Sequence, residues 1–339
     1  MAQYLLRRVI QAIPILIGVS MIVFLIVYAS PGDPTDRFRT PRVPPEQIDA
    51  LIRQYGLDRP LPEQYLSWVS TFFRIIDFNA SFDPRVWTMN WDAWGYSFTD
   101  GREVMEKVFL RLPPTVLLMG TALIVTIIFA IPIGILAAVR QYSWTDKIIT
   151  TAATFGYAIP SFLLGTYILY LGGVLLKQWT DGAIGFPTFG MESLGKRGDP
   201  LDIALHMVLP VTSLAILSIA SWSRYTRSSM LDVLHQDYVR TAKAKGLPRR
   251  TVIFKHALRN ALIPIVTLLG LSIPSLIAGA AITETIFSWP GIGSLFIDAV
   301  GAKDYPVIMA VAMLSGTAVI VGNLVADVLY GVVDPRIKY

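Results

Sequence analysis

Six stretches of this chain contain no Asp, Glu, Lys or Arg over a length that can cross a bilayer. They are Val9–Tyr28, Leu112–Val139, Ile148–Leu176, Ile203–Ser223, Ala261–Thr283 and Tyr305–Ala326. A helix needs about 20 apolar residues to span the hydrocarbon core. Within that core every backbone amide must find a partner in its own segment or sheet, which leaves the helix as the form such runs take. The sequence therefore predicts an all-α polytopic membrane protein with six transmembrane helices. The fourth run, with His206 and several serines, carries the weakest signal. Charged residues make up 16% of the chain and hydrophobic ones 53%, against about 25% charged in soluble domains.

The charges between the runs give an orientation. Arg7 and Arg8 precede the first run, Arg140 and Lys147 lie between the second and third, and Arg336 and Lys338 follow the sixth. The largest cluster is Arg224, Arg227, Arg240, Lys243, Lys245, Arg249, Arg250, Lys255 and Arg259, against only Asp232 and Asp237. Short loops rich in Lys and Arg stay in the cytoplasm, so both termini are expected to be cytoplasmic. Arg7-Arg8 ahead of an apolar run also fits a signal peptide. The run is longer than a usual h-region and no A-x-A site follows, so a retained first span is expected. The chain thus divides into a first transmembrane helix (1–28), an external domain (29–111) and a five-helix core (112–339). That core carries a cytoplasmic loop at 224–260.

Two helical stretches are expected in the external domain. Pro44-Pro45-Glu46 opens one, with Ile48, Leu51, Ile52 and Tyr55 on one face and Gly56 closing it. The second covers 60–78, with Leu66, Val69, Phe73 and Ile76. Beyond it Trp87, Trp91 and Trp94 lie close together. They fit an interfacial aromatic belt, a stacking surface for sugar or peptide, or a contact for a binding protein. Prolines recur inside the runs (Pro14, Pro132, Pro160, Pro210, Pro264 and Pro274), each freeing a carbonyl that a neighbour must satisfy.

The densest positive charge falls in YVRTAKAKGLPRRTVIFKHALRNALIP, Tyr238–Pro264. Tyr238 to Lys245 is rich in helix formers. Gly246 can take the left-handed conformation that ends a helix, and Pro248 suits the first turn of the next. Two short helices joined at Gly246 on the membrane surface are expected.

This stretch resembles the "EAA" loop of ABC-transporter permeases, in the form typical of oligopeptide and dipeptide permeases. Tyr238, Arg240, Thr241, Ala242, Ala244, Lys245 and Gly246 match Y-x-R-T-A-x-A-K-G. His256 to Pro264, including Asn260, match H-A-L-R-N-A-L-I-P. Arg240-Thr241-Ala242 departs from the general Glu-Ala-Ala and fits the peptide form. Three further segments resemble the same family: GLDRPLPEQYLSW (Gly56–Trp68), ETIFSWPGIG from Glu284, and the terminal DPRIKY, where the family has D-P-R-I-R-Y. The segment 79–96 looks like an insertion relative to that pattern.

The resemblance implies a type I ABC importer permease. It would act with a second, similar permease, two cytoplasmic ATPase subunits and an extracytoplasmic substrate-binding protein, in a bacterial or archaeal plasma membrane. The loop residues named above, with His256 and Asn260, would couple it to the ATPases, and Ala242 would be the closest approach to them. Peptide is the implied substrate; nickel and oligosaccharide are carried by related systems.

Glu284 closes the fifth run, and Trp289-Pro290-Gly291 forces a turn after it. These four residues are candidates for an outer gate or a binding-protein contact; alternatively Glu284 is an interfacial acid paired with a base. Asp327, near the inner end of the sixth run, is a candidate intramembrane acid or half of a structural ion pair. Gly190 to Arg197 nearly fits a P-loop, but Arg197 occupies the position where Mg²⁺ needs a hydroxyl, and Gly198-Asp199-Pro200 follows instead of a helical pattern. With no cysteine and only His206, His235 and His256, no thiolate or HExxH metal site is available. No catalytic residue and no cofactor are expected. The basic loop lacks interleaved aromatics and is tied to spans at both ends, which argues against nucleic acid. A self-contained secondary transporter would need carboxylates at mid-membrane, and the runs contain none.

Overall fold

The computed structural model describes residues 2–29, 44–54, 56–73, 76–77, 88–89 and 94–333. Its helices, in chain order, are α1 (Ala2–Ala29), α2 (Pro45–Gln54), α3 (Leu61–Phe73), α4 (Val104–Val139) and α5 (Trp144–Ala158). Then come α6 (Ser161–Trp179), α7 (Pro200–Leu234), α8 (Asp237–Ala244), α9 (Arg249–Ala261), α10 (Ile263–Ala278), α11 (Ala281–Ile286), α12 (Ile292–Gly301) and α13 (Tyr305–Val333). Two short strands, β1 (Ile76–Asp77) and β2 (Thr88–Met89), pair antiparallel. Five helices are long and apolar enough to cross a membrane: α1 from Ile10, α4, α6, α7 and α13 as far as Asp327. A sixth span results when α9 and α10, bent by 47° at Leu262, count as one. The protein is an all-α polytopic membrane protein.

Several boundaries differ from the expected ones. The run Ile148–Leu176 is not one helix: α5 ends at Ala158, and the chain turns extended at Ile159 and Pro160 before α6 begins. Pro160 has no N–H to donate and pushes its predecessor out of the helical region. A π-helical stretch, Leu169–Leu175, then interrupts α6. α4 begins at Val104, well before Leu112, where the second charge-free run begins. The fifth run stops at Ala278, where Gly279 (φ +76°) ends α10 and a separate short helix carries Glu284. Between α1 and α4, α3 ends at Phe73, so Ile76 lies on a strand. α2 closes as expected: Gly56 has φ +65°, and Leu57 N donates to Ile52 O at 3.0 Å. Tyr55, Trp87, Trp91 and Asp334–Tyr339 lie outside the described residues.

The chain forms two compact units. One comprises Pro113–Ser294 and Ala318–Tyr339; the other comprises Ala2–Leu112 and Leu295–Thr317. In the first, α7 is the central element. It packs Met207 and Val211 with Leu118, Ala122 and Trp289, and lower down Met230 with Ile135, Ala138, Ala257 and Ala261. Between these levels Trp222 meets Ala130 and Ile265. Small residues set the crossings. A Cβ at Gly134 would come 2.5 Å from Thr226 Cβ, and one at Gly322 would come 2.6 Å from Pro274 Cδ. Close backbone approach through small residues is how helices associate without a hydrophobic driving force. In the second unit Ser20 and Tyr65 share a hydrogen bond at 2.9 Å. Buried Asp304 accepts from Phe98 N at 3.0 Å, Thr99 Oγ1 at 2.9 Å and the Ser97 hydroxyl, with Lys107 Nζ at 3.9 Å.

Candidate functional site

α8 is too short to be stable alone, since isolated helices under about 12–15 residues are marginal in water. Three apolar side chains seat it. Val239 and Ala242, one turn apart, pack on Val252 of α9, with Val233 and Leu234 from the end of α7 alongside. Asp237 occupies the first turn, where the helix dipole favours an acid. The far end closes on Gly246 at φ +74°. Gly246 N donates to Lys243 O at 3.0 Å and Leu247 N to Ala242 O at 3.4 Å, the pair of bonds of a Schellman cap. Pro248 stands at the N-cap of α9 with extended backbone, one position before the first turn in which it was expected.

This geometry sorts the motif residues onto two faces. Tyr238, Arg240, Thr241, Ala244, Lys245 and Gly246 are exposed, and so are Arg249 and Arg250 beyond the turn. Ala242 is buried against its own chain, which corrects the expectation that it is the point of closest approach to a partner. Tyr238 and Asn260, the two ends of the motif, join directly: Asn260 Nδ2 donates to Tyr238 Oη at 2.7 Å. His256 is half-buried within the π-helical turn Val252–Ala257 of α9. Ser229 Oγ donates to Ala261 O at 2.8 Å, beside the bend into α10. Arg249 reaches Val139 O at 3.4 Å, tying the turn after α8 to the end of α4.

Glu284 sits in a different environment from the one expected. It is fully buried, and among the described residues no base pairs with it. Its carboxylate accepts from Ser294 N at 2.8 Å and Ala280 N at 3.2 Å, with Thr115 Oγ1 at 3.4 Å. Gly279, Gly291 and Gly293 surround it: an added Cβ at Gly279 or Gly291 would collide with the carboxylate, and one at Gly293 with the Ala281 backbone. Thr115 Oγ1 also accepts from Ile292 N at 2.7 Å, and Trp289 Nε1 donates to Pro114 O at 2.9 Å. Glu284, Trp289 and Gly291 are therefore interior groups that fix the shape of this hairpin, while Pro290 is half-buried. Asp327 is half-buried in α13, next to Ala326, which covers Gly270 of α10.

The near-P-loop is a pinned turn. Asp202, in the first turn of α7, accepts from Ser193 N at 2.6 Å and Ser193 Oγ at 2.9 Å, and Lys196 Nζ stands 3.7 Å away. His206 Nδ1 lies 2.8 Å from Asp202 O. A carboxylate therefore holds the loop, and Lys196 faces that acid.

One group went unrecognised in the sequence. Asp146 receives both arms of Arg227, Nε to Oδ1 at 2.6 Å and NH2 to Oδ2 at 2.8 Å. Tyr142 N adds 2.9 Å and Thr150 Oγ1 3.3 Å. The Arg227 bond above all holds the Asp146 carboxyl below the usual range, against the opposing effect of burial. A signal was present: Ser143-Trp144-Thr145-Asp146 has the spacing of a capping box, and Ser143 Oγ accepts from Asp146 N at 3.3 Å.

Five or six apolar spans and a charged two-helix element seated on the base of α7 define a membrane permease subunit. The chain belongs to the family of binding-protein-dependent transport system inner membrane components, the permeases of ABC transport systems. The model of that family matches residues 130–339, and the model of its N-terminal region matches 1–119. The oligopeptide transport system permease protein AppB of Bacillus subtilis is 42% identical over 339 residues, covering 100% of both chains. The dipeptide transport system permease protein DppB of Escherichia coli K12 is 37% identical over 100% of this chain and 99% of its own. The glutathione transport system permease protein GsiC of Shigella flexneri is 35% identical over 100% of both. Family and helices together make this a multi-pass inner-membrane protein.

Proposed function

We propose that this chain is one of two permease subunits of an ATP-driven peptide importer. The exposed face of α8 and the turn at Gly246 dock onto a cytoplasmic ATPase subunit. The observation that carries this is the split of α8: its two apolar residues seat it on the permease, and its motif residues, mostly basic or small, face outward. A surface helix held by so small an apolar seat moves as a unit with the ends of α7 and α9, so closure of the ATPases is transmitted to the spans. ATP hydrolysis belongs to those partners. The relatives named for oligopeptide, dipeptide and glutathione transport support a peptide substrate delivered by an external binding protein. Both termini and the 224–260 loop face the cytoplasm, and 29–111 faces outside.

Co-purification tests the docking. Arg240→Glu with Lys243→Glu reverses charge on the outward face without touching Val239 or Ala242. The expected result is normal membrane levels of the permease with loss of bound ATPase and of peptide uptake. Full retention of both overturns the assignment. Reporter fusions at Arg250 and within 29–111 test the orientation; an external signal at Arg250 overturns it.

A further inference from the structure

α7 carries a second feature that the docking element does not use. On the turns preceding the 224–260 loop and leading into it, Ser221, Arg224, Tyr225 and Ser228 follow one another at i, i+3, i+4 and i+7. That spacing places them on one face of the helix. The opposite face, with Trp222, Ser223, Thr226 and Met230, is buried. Thr150 and Tyr157 of α5 complete a groove of about 580 Å³ along the polar stripe. Tyr157 is 68% exposed and Tyr225 54%, so the groove is open along its length.

The groove lies at the inner mouth of a helix that crosses the membrane, where the charge-free run ends at Ser223. Arginine and hydroxyl groups facing lipid are costly, so such a stripe faces water or protein. Its two arginines differ. Arg227 is neutralised by the bidentate contact with Asp146. Arg224 is exposed and has no acid within ion-pair distance among the described residues. The groove therefore presents one uncompensated guanidinium flanked by two phenols and several aliphatic hydroxyls. A planar guanidinium suits a carboxylate. The hydroxyls can serve backbone amides of any sequence as donors or acceptors.

We propose that the α5–α7 groove is the section of the translocation path contributed by this chain, and that Arg224 receives the free terminal carboxylate of the passing peptide. The assignment rests on the peptide-import function above and adds the residue that reads the substrate. A group shared by linear peptides regardless of sequence would be gripped.

The absence of cysteine from this chain allows a direct test in the complete importer reconstituted in proteoliposomes. Ser221→Cys and Ser228→Cys are introduced singly and treated with a charged, water-soluble methanethiosulfonate, with modification read on this subunit by mass shift. Both sites are expected to react, and an alanine tripeptide with its binding protein is expected to slow the reaction several-fold. Arg224→Gln should raise KM for the free-acid tripeptide about tenfold or more, as for loss of a charge-assisted hydrogen bond. It should leave uptake of the C-terminally amidated tripeptide unchanged, and Arg224→Lys should recover part of the loss. Absence of labelling at both sites shows a face covered by a partner subunit and overturns the proposal. Labelling without peptide protection, with equal effects of Arg224→Gln on acid and amide, shows an anionic lipid headgroup site and also overturns it. An unmodified complex that imports no peptide overturns the peptide reading itself, and this assignment with it. A complex that imports peptide while neither cysteine reacts overturns this assignment alone.

Discussion

Replacing Ala242 with glutamate separates the seating of α8 from its docking. The seat consists of Val239, fully buried, and Ala242 at 5% exposure, both against Val252. Burying a valine side chain contributes about 1.5–3 kcal/mol, and one buried methyl group about 0.8 kcal/mol. Roughly 3 kcal/mol therefore holds a helix of eight residues that would not persist unaided. A glutamate at 242 places a carboxylate among Val239, Val252 and Leu234. Leaving a buried charge uncompensated costs on the order of 3–5 kcal/mol, which equals or exceeds the seat, so α8 should release from the permease. Ala244→Glu is the control. Ala244 is exposed, and an acid near a helix C-terminus costs only about 0.3–1 kcal/mol, so α8 stays seated while its outward face changes. Hydrogen exchange of the isolated permease in nanodiscs should show lost protection across 237–246 for Ala242→Glu and wild-type protection for Ala244→Glu. Both should lose ATPase on co-purification. Wild-type protection and full ATPase binding in Ala242→Glu would refute the seating argument, and full binding and uptake in Ala244→Glu would refute the outward face as the docking surface.

Asp146→Asn leaves Arg227, one-quarter exposed, without its partner, and should cost on the order of 2 kcal/mol, below the 3–5 of a fully buried pair; thermal unfolding in detergent measures it. Because the folded Asp146 carboxyl lies below its unfolded value of about 3.9, its contribution is complete above that value and disappears as pH falls through the lower folded one. Wild type should therefore lose melting temperature more steeply than Asp146→Asn on acidification below about pH 4. Gly291→Ala would put a methyl group into Glu284 and Thr115 and should cost about 1–3 kcal/mol by overpacking. Its signature is a lower melting temperature with ATPase binding intact, and an unchanged melting temperature would contradict the packing described. Lys196→Ala should leave the ATPase activity of the assembled complex unaltered, since Lys196 faces Asp202 in the turn before α7; a large loss in a well-assembled complex would count against that placement.

Much of the α8–α9 element was readable from residue order because it is local. A helix-forming segment, a glycine that can turn left-handed and a proline that can open the next helix are neighbours in sequence, and Gly246 and Pro248 take those roles. The inward direction of Ala242 was not readable in this way. It depends on Val252, ten residues on, and on Val233 and Leu234 before the turn. The span count survived for a similar reason: lack of charge over about 20 residues is a local property. The breaks within spans were harder to place. Pro160 ends a helix, yet Pro132 and Pro210 lie inside α4 and α7 without ending them. The ring is the same in each case, and tertiary packing decides whether the freed carbonyl can be accommodated.

Glu284 shows where charge alone misleads. An acid at the end of an apolar run suggests an exposed boundary or an ion pair, yet this one is buried on backbone N–H groups. Part of what makes that possible lies in the same stretch of sequence, in a form that charge patterning does not register, and part lies far away at Pro114 and Thr115. Gly279, Gly291 and Gly293 leave the room, and Thr115 and Ser294 supply hydroxyls that complete the hairpin. Trp289 closes one side by donating to Pro114 O. A buried acid satisfied this way fixes one backbone arrangement, because any shift of the glycines strands a polar group away from water. The W-P-G-x-G spacing can be understood as the space and turn geometry demanded by one carboxylate. The role of Glu284 is then to hold α10, α11 and the start of α12 in register with the Pro114–Thr115 turn of α4.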